Sequence, residues 1–263
     1  MTELHAPAKV NLALVVGPAR ADGRHEIATV LQRISLADRI RVEPASELRV
    51  EGFTEDTIVG RALEALAKAA GAEAAWRVEI DKQIPVAAGL GGGSSDAAAA
   101  LLLANETLTQ PLEQEALHEL AARLGADVPF FLTTGPQLGE GDGTVLQPLA
   151  LPQDYWILLL LPRGERKAST GAIYDAFAAG EGFPDRRAEL LRALALGDLA
   201  AFPPNDLTSS PLEEELRSLG AFRADVSGAG PVVYGLFAEQ GEAIAAHAAL
   251  ADRGEAWIVT PAW

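Results

Sequence analysis

Residues 85–96 read PVAAGLGGGSSD, and the alanine- and leucine-rich run of residues 97–104 follows at once. This run predicts a helix, because alanine and leucine are strong helix formers. Glycines let a backbone approach an anion closely, while the first N–H groups and the dipole of a helix attract negative charge. A serine at this place can cap the helix or bond a phosphate oxygen. A linker would also contain glycine and serine, but the proline, the tight glycine cluster and the immediate helix favour a phosphate-binding turn.

Two familiar phosphate-binding loops do not fit this stretch. A Walker A loop ends in Gly-Lys followed by Ser or Thr, and no lysine follows Gly93. A dinucleotide-binding fingerprint that starts at Gly89 and Gly91 needs a third glycine where Ser94 stands. The turn is therefore neither of these two loops.

The composition limits the classes of function. The 263 residues include 21 lysines and arginines against 37 acidic residues, a formal charge of −16, which argues against binding to nucleic acid or to an anionic membrane. A nucleotide ligand still fits, because backbone donors and one or two cations suffice to hold it. Cysteine is absent and the four histidines are scattered, so thiolate metal sites are excluded and metal ligands stay unknown.

The sequence contains no pattern typical of a membrane span or a secretion signal. Its longest apolar run, residues 155–161, is too short to cross a bilayer. Residues 1–7 read MTELHAP and lack the basic and then apolar pattern of a signal peptide. We therefore expect a cytoplasmic protein.

The order of strands and helices predicts an α+β protein in two parts. The first part has, in chain order, a strand at residues 9–16, a helix at 57–70, a strand at 76–80, a helix at 113–124 and a glycine-rich loop at 135–143. The second part opens with residues 155–161, a continuous apolar run typical of a strand buried on both faces, and ends in the order β-β-α-β. We expect an N-terminal domain at residues 1–151 and a C-terminal domain at residues 152–263.

Two charged residues stand in apolar surroundings and are candidates for catalysis. Asp127 lies in LGADVPFF, residues 124–131, where it either acts as a general base or simply caps the segment that starts near Pro129. Lys9 lies in APAKVNL, residues 6–12, where it is either an edge-strand surface residue or, with Asn11, a group that orients a hydroxyl or neutralises a phosphate.

Three polar turns also have two interpretations. Residues 22–26 read DGRHE and suit an ordinary turn, residues 204–207 read PNDL and suit an Asx-turn, and residues 227–231 read SGAGP and suit a hairpin. The last of these could instead bring a backbone close to a phosphate or to the first glycine turn.

Taken together and in this order, five segments resemble the motifs of the GHMP kinase superfamily, over residues 6 to 237 at least. They are residues 6–12, residues 85–96, residues 125–131, the pair Asn205-Asp206 and residues 225–230, which read DVSGAG. The three successive glycines before Ser-Ser resemble the branch that phosphorylates the 2-hydroxyl of 4-diphosphocytidyl-2-C-methyl-D-erythritol in non-mevalonate isoprenoid synthesis. The resemblance favours catalytic roles for Lys9 and Asp127.

The resemblance implies a two-domain fold, in which the N-terminal domain is similar to the second domain of ribosomal protein S5 and the C-terminal domain is ferredoxin-like. ATP and a small-molecule substrate would meet in the cleft between the domains, with Mg²⁺ screening the phosphates. The protein would be a monomer or a weak homodimer.

The resemblance also implies roles for individual residues. Asp127 would take the proton from the acceptor hydroxyl, Lys9 would hydrogen-bond that hydroxyl or the aspartate, and Asn11 would position the substrate. Gly228 and Gly230 would support the first turn and the substrate. The residues that would bind ATP are Pro85, Gly89, Leu90, Gly91, Gly92, Gly93, Ser94 and Ser95.

The cytosine end departs from the family pattern at one position. His25 matches the histidine that recognises cytosine, and Thr170 and Tyr174 match the segment that carries the covering aromatic residue. Arg24 stands where the family has a tyrosine that stacks on the base. An arginine plane can also stack on a base and adds a charge near the diphosphate.

Two other hypotheses remain. Arg24 favours a GHMP kinase with another acceptor, such as mevalonate, homoserine or a sugar. A non-catalytic GHMP-fold binding protein would have lost Lys9 or Asp127, and both are present.

Overall fold

The computed structural model describes residues 2–53, 57–164, 170–177 and 182–263. The strands are β1 (Glu3–Ala19), β2 (His25–Pro44), β3 (Arg49–Glu51), β4 (Trp76–Asp81), β5 (Gln137–Gly141), β6 (Val145–Pro148), β7 (Trp156–Pro162), β8 (Arg223–Val226), β9 (Val233–Phe237), β10 (Gly254–Val259) and β11 (Pro261–Ala262). The helices are α1 (Thr57–Ala70), α2 (Gly92–Thr107), α3 (Gln114–Leu124), α4 (Thr170–Ala176), α5 (Phe183–Leu196), α6 (Leu212–Ser218) and α7 (Gln240–Ala249).

The chain forms two compact units. The first comprises Met1–Ala8, Leu36–Val86 and Gly91–Thr134, and the second comprises Lys9–Ser35, Ala87–Leu90 and Gly135–Trp263. The long strands β1 and β2 each contribute residues to both units. The units follow contacts rather than chain order, so the domain boundary expected between residues 151 and 152 stays a prediction.

The first unit combines parts of β1 and β2 and the whole of β3 and β4 with three helices. The C-terminal part of β2 pairs antiparallel with β4, with Ile40 opposite Ile80, and β3 runs parallel to β4. Helix α1 packs against α2 and α3. Helix α2 is buried along nearly all of residues 95–105, because its alanine side chains are small enough for neighbours to pack closely around it. This packing fixes the N-terminal turn of α2, where the glycine cluster lies.

The second unit contains the N-terminal part of β2, which pairs antiparallel with β5, and a separate antiparallel sheet in the order β10-β7-β9-β8. Residues 157–160 of β7 are fully buried, as the apolar run predicted. Side chains of α6 and α7 pack onto Leu158 and Leu160 in one hydrophobic cluster. The predicted order β-β-α-β is confirmed by β8, β9, α7 and β10, and a short strand that was not predicted, β11, follows it.

The expected loop at residues 135–143 is wrong, because residues 137–141 form β5. Glycine at position 139 allows the strands to pack closely, because a Cβ there would lie 3.1 Å from Cγ2 of Thr29 on the neighbouring strand. Gly139 therefore reflects close strand packing, whereas Gly135, Gly141 and Gly143, which lie before, at the end of and after β5, have positive φ angles.

Candidate active site

The first glycine turn leads directly into helix α2. Gly89 and Gly91 have φ angles of 84° and 70°, values that glycine adopts without strain. The helix begins at Gly92, so Gly92 and Gly93 lie in its first turn with the two serines. The N–H of Ser95 donates to the carbonyl of Gly91 at 2.9 Å, and the N–H groups before it precede the helical hydrogen-bond ladder. These groups are the donors that an anion at a helix N-terminus uses.

The two serines occupy the first helical turn and do not cap the helix. The N-cap residue is Gly91, with no side-chain capping bond, so the capping interpretation of Ser94 and Ser95 is wrong. The Ser95 side chain is buried, and its hydroxyl has no hydrogen-bond partner among the described residues. Buried hydroxyls are normally paired, which makes Ser95 a donor or acceptor that a ligand or a water molecule can satisfy.

A buried charged cluster lies beside the start of the glycine turn. The ammonium of Lys82 contacts Asp38 Oδ2 at 2.5 Å and Asp96 Oδ2 at 2.8 Å. The other oxygen of Asp38 accepts the N–H groups of Gln83 and Ile84 at 2.6 and 2.8 Å, which fixes the backbone that enters the turn. Burial and the neighbouring charge of Asp38 raise the pKa of Asp96 to about 8. We call Asp38, Lys82 and Asp96 the lysine cluster.

The second glycine turn, residues 227–230, joins β8 to β9, so the hairpin interpretation is confirmed. It also approaches the first turn. The Ser227 hydroxyl donates to the carbonyl of Gly89 at 3.0 Å, and a Cβ on Gly89 would overlap the Ser227 carbonyl and lie 2.9 Å from that of Gly230. Glycine is therefore required at position 89 both by its φ angle and by the close approach of the two backbones.

Lys9 and Asn11 lie next to these turns on β1. Lys9 is only 4% exposed, so the interpretation of Lys9 as an edge-strand surface residue is wrong. Its ammonium donates to Asn11 Oδ1 at 2.5 Å, and its backbone N–H donates to Leu90 at 2.9 Å. A Cβ on Gly228 would lie 3.0 Å from Asn11 Oδ1 and 3.4 Å from Lys9 Nζ. The second unit thus brings together Lys9 and Asn11 of β1, Gly89 and Leu90 of the first turn, and the second turn.

Asn11 is held by a chain of buried hydrogen bonds. Its Nδ2 donates to Thr29 Oγ1 at 2.8 Å, and the Thr29 hydroxyl donates to the carbonyl of Ala13 at 2.8 Å. Its backbone N–H donates to the Ser227 hydroxyl at 3.3 Å. This arrangement turns Asn11 Oδ1 toward the Lys9 ammonium, which a buried cation needs.

Asp127 belongs to the first unit and lies between α3 and a 3₁₀ turn, Pro129–Leu132. The N-cap residue of that turn is Val128, without a side-chain capping bond, which disfavours the capping interpretation of Asp127. The 3₁₀ turn packs against α2. The pairing of Asp127 with Lys9 stays a prediction.

His25 lies in an aromatic group of the second unit. The ring centroid of His25 lies 5.6 Å from that of Tyr174 and 6.1 Å from that of Phe177, the latter edge-on. Tyr174 and Phe177 pack against the apolar side chains of Leu14, Val16 and Ile27. Thr170 begins α4, and its side chain lies outside the described part of the chain. His25 and Tyr174 are thus close together, as their predicted common role requires.

Comparisons with known proteins place this geometry in a family. The family model described as GHMP kinases N terminal domain matches residues 57–135, and the one described as GHMP kinases C terminal matches residues 209–256. The 4-diphosphocytidyl-2-C-methyl-D-erythritol kinase of Nocardia farcinica is 39% identical, with 98% of this chain and 92% of that protein covered. The enzyme of that name from Syntrophus aciditrophicus is 36% identical, with 98% of both chains covered.

The chain belongs to the 4-diphosphocytidyl-2-C-methyl-D-erythritol kinase family of GHMP kinases. A crystal structure of a 4-(cytidine 5'-diphospho)-2C-methyl-D-erythritol kinase matches with a TM-score of 0.83 and 36% identity over 99% of both chains. A homoserine kinase from Cytophaga hutchinsonii matches with a TM-score of 0.77 and 16% identity, which shows the fold alone. The predicted two-domain GHMP kinase fold and the kinase class are therefore confirmed.

The Arg24 side chain is held in an ion pair at the polar turn. Its guanidinium forms an ion pair with Asp142, and its backbone N–H donates to Asp22 Oδ1 at 3.0 Å, which confirms the polar turn. Asp142 also accepts a hydrogen bond from the Thr144 hydroxyl at 2.6 Å. Stacking of Arg24 on a base would have to be compatible with this ion pair, and in this GHMP kinase it stays a prediction.

Several residues of the site carry no signal in the sequence. Thr29, Asp142 and Phe177 lie in segments without a motif, and only the fold brings them to Asn11, Arg24 and His25. The members of the lysine cluster are likewise ordinary charged residues when they are read singly. Within the described ranges, every helix falls short of the length and apolarity that a membrane span needs.

Proposed function

We propose that this chain transfers the γ-phosphoryl group of ATP to the 2-hydroxyl of 4-diphosphocytidyl-2-C-methyl-D-erythritol. The observation that carries the proposal is identity of 36% to 39% to kinases of that name over nearly the whole chain. The buried Lys9–Asn11 pair beside the two glycine turns supports it, because phosphoryl transfer relies on positioned cations and backbone donors.

In the proposed mechanism, Asp127 accepts the proton of the attacking hydroxyl. Lys9 stabilises the negative charge that develops on the oxygen, and Asn11 orients the Lys9 ammonium and the substrate. The oxygen then attacks the γ-phosphoryl group in line with the leaving oxygen. Burial of Lys9 strengthens its electrostatic effect, because the site is shielded from water.

The backbone from Gly89 to Ser95 binds the phosphates in this proposal. The positive φ angles of Gly89 and Gly91 and the free end of α2 support that role. Gly228 and Gly230 support the first turn, since Ser227 bonds the carbonyl of Gly89.

Kinases of this type use ATP with Mg²⁺, which screens the phosphate charges. The described ranges hold no group of three or more His, Cys, Asp or Glu side chains that could bind a metal by themselves. Mg²⁺ prefers oxygen ligands and commonly binds through substrate phosphates and few protein groups, so the buried, unpaired Ser95 hydroxyl fits as a protein ligand.

The cytidyl end binds, in this proposal, at His25 and Tyr174, with Thr170 and Arg24 nearby along the chain. Phe177 adds a second aromatic edge beside His25. We also propose the division into domains at residues 1–151 and 152–263, since the two family-model matches fall on either side of it. A monomer or weak homodimer in the cytoplasm completes the proposal.

The experiment is a phosphorylation assay with ATP and Mg²⁺ that offers the cytidyl-methylerythritol compound beside mevalonate, homoserine and galactose. Turnover of the cytidyl compound alone is the expected result. Turnover of another alcohol alone would be consistent with the proposed mechanism but would contradict the proposed substrate. The Arg24–Asp142 ion pair would then be the first feature to examine as the cause of the different specificity. Absence of turnover with ATP still bound would favour a non-catalytic protein.

A further inference from the structure

The pair Asn205-Asp206 is a motif to which the proposed mechanism gives no role. Asn205 uses its whole side chain: Nδ2 donates to the carbonyls of Val226 at 2.9 Å and Gly228 at 2.6 Å, and Oδ1 accepts the N–H of Leu207 at 2.9 Å. The last bond confirms the predicted Asx-turn. The first two bonds reach across to the second glycine turn, which an Asx-turn alone does not require.

The carbonyl that Asn205 holds belongs to the residue beside the catalytic lysine. Gly228 has a φ angle of 57°, and a Cβ placed on it would lie 3.4 Å from Lys9 Nζ and 3.0 Å from Asn11 Oδ1. The preceding residue, Ser227, bonds both the Asn11 N–H and the Gly89 carbonyl. A shift of this turn would therefore displace groups that surround Lys9 and the first glycine turn.

The segment that carries Asn205 is itself fixed from two sides. The carboxylate of Asp225 accepts the Asn205 N–H at 3.1 Å, and Arg223 holds that carboxylate at 2.8 Å. On the other side, the carboxylate of Asp206 accepts the N–H of Val16 at 2.8 Å. Asn205 thus lies between β1, which carries Lys9, and the turn that faces it.

We propose that Asn205 is a positioning residue that holds the turn at residues 227–230 in register with Lys9 and Asn11. This proposal rests on the proposed function. Asn205 acts through the turn backbone, and its loss affects the geometry of transfer more than the affinity for ATP. Misplacing reacting groups by about 1 Å can cost on the order of a hundredfold in rate.

The test compares Asn205→Asp with Asn105→Asp. Aspartate keeps the shape of asparagine but cannot donate from the position of Nδ2, and its charge would face two carbonyl oxygens. Asn105, near the C-terminal end of α2 in the first unit, is the matched control, because its Nδ2 donates to the carbonyl of Leu112 at 3.0 Å and its Oδ1 accepts the Leu112 N–H at 2.8 Å. Asn205→Ala removes the same donors as Asn205→Asp without adding a charge.

Two measurements are made on each variant. For Asn205→Asp and Asn205→Ala we expect kcat to fall at least about tenfold while KM for ATP changes less than about threefold, and Asn105→Asp to keep kcat within about threefold. Hydrogen exchange of the peptide that covers residues 227–232 should be at least about tenfold faster in the Asn205 variants and unchanged in Asn105→Asp.

Wild-type kcat or exchange in folded Asn205 variants would overturn the positioning role. Equal loss of kcat in the Asn105 and Asn205 variants would also overturn it, because stability alone would then explain the effect. The exchange measurement needs no substrate. Failure of the wild type to phosphorylate the cytidyl compound would therefore count against the proposed function while leaving the positioning role to be decided by exchange.

Discussion

A buried group of charged side chains, which we call an anchor, lies beside each of the two glycine turns. The two anchors differ in their ratio of carboxylates to cations. Beside the first turn, the lysine cluster places two carboxylates on one ammonium, and one oxygen of Asp96 has no hydrogen-bond partner among the described residues. Behind the second turn, one carboxylate, Asp225, meets one guanidinium, Arg223. Arg223 also donates to the carbonyls of Phe202 and Pro203 at 2.6 and 3.1 Å.

This difference in the ratio of carboxylates to cations accompanies a difference between the pKa values of Asp225 and Asp96. Burial raises the pKa of Asp225 to about 6, with Arg223 acting against it. Burial and Asp38 together raise the pKa of Asp96 to about 8. At pH 7 the second anchor is therefore an ion pair, whereas the first becomes electrically balanced by holding a proton. Similar burial thus gives one anchor whose carboxyl group, Asp225, is mostly ionised at pH 7 and one whose raised carboxyl group, Asp96, is mostly protonated there.

The largest effect is expected where the two turns meet. Gly89→Ala places a methyl group against the Ser227 carbonyl at a φ angle of 84°, so the turns must separate. We expect turnover to fall by about a hundredfold or more, since misplacement of this size disturbs the whole site. The measurement is kcat for the cytidyl substrate.

Gly197→Ala is the matched control for this prediction. Gly197 has a φ angle of 65° and open space around its Cβ position, so alanine there adds backbone strain without a clash. Such strain costs about 1–2 kcal/mol of stability and should leave turnover unchanged. Similar turnover in the two variants would contradict the close approach of the turns.

Removing the cation from each anchor should lower the free energy of unfolding by different amounts. Arg223→Met leaves the charge of Asp225 buried and unpaired, which costs about 3–5 kcal/mol. Lys82→Met should cost less, about 1–3 kcal/mol, because Asp96 holds a proton at pH 7 and can donate a hydrogen bond to the Asp38 carboxylate that has lost its cation. Urea unfolding at pH 7 measures both free energies of unfolding. Equal losses would show that the two anchors do not differ in balance.

A comparison of Asp96→Asn with the wild type isolates the contribution of Asp96 to the pH dependence of stability, because Asp225, whose pKa is also raised, titrates in both proteins. The folded-state pKa of Asp96 lies above the value of an unfolded aspartate, so the folded protein holds a proton that the unfolded chain releases, and stability falls as the pH rises from about 4 to about 8. Asp96→Asn mimics the protonated form and should therefore gain about 1–3 kcal/mol relative to the wild type between pH 5 and pH 8. Urea unfolding at several pH values measures this gain.

Asp154→Asn is the control for this pH series. Asp154 is exposed, so its substitution should leave the pH dependence of the wild type unchanged. The interpretation of the lysine cluster would fail if Asp96→Asn followed the wild-type slope.

The two anchors also illustrate which features of the structure the sequence could predict and which it could not. Both glycine turns, the buried β7 and the family were predicted, because each rests on a local pattern or on ordered motifs. The lysine cluster was missed, since Lys82 meets Asp38 from 44 residues away and no spacing rule connects them. Strand β5 was missed because its Gly139 packs against Thr29 on another strand, a contact that only the fold creates. The catalytic pairing of Lys9 with Asp127 was inferred from the resemblance and stays a prediction.

Turnover by Asp127→Asn, measured with ATP binding on the same folded protein, tests the central claim most directly. Asparagine keeps the size of the side chain and removes its ability to accept the proton of the hydroxyl. We predict that ATP affinity stays within about threefold while phosphorylation of the cytidyl substrate falls at least about a hundredfold. Near-normal phosphorylation by the folded variant would contradict the assignment of Asp127 as the general base.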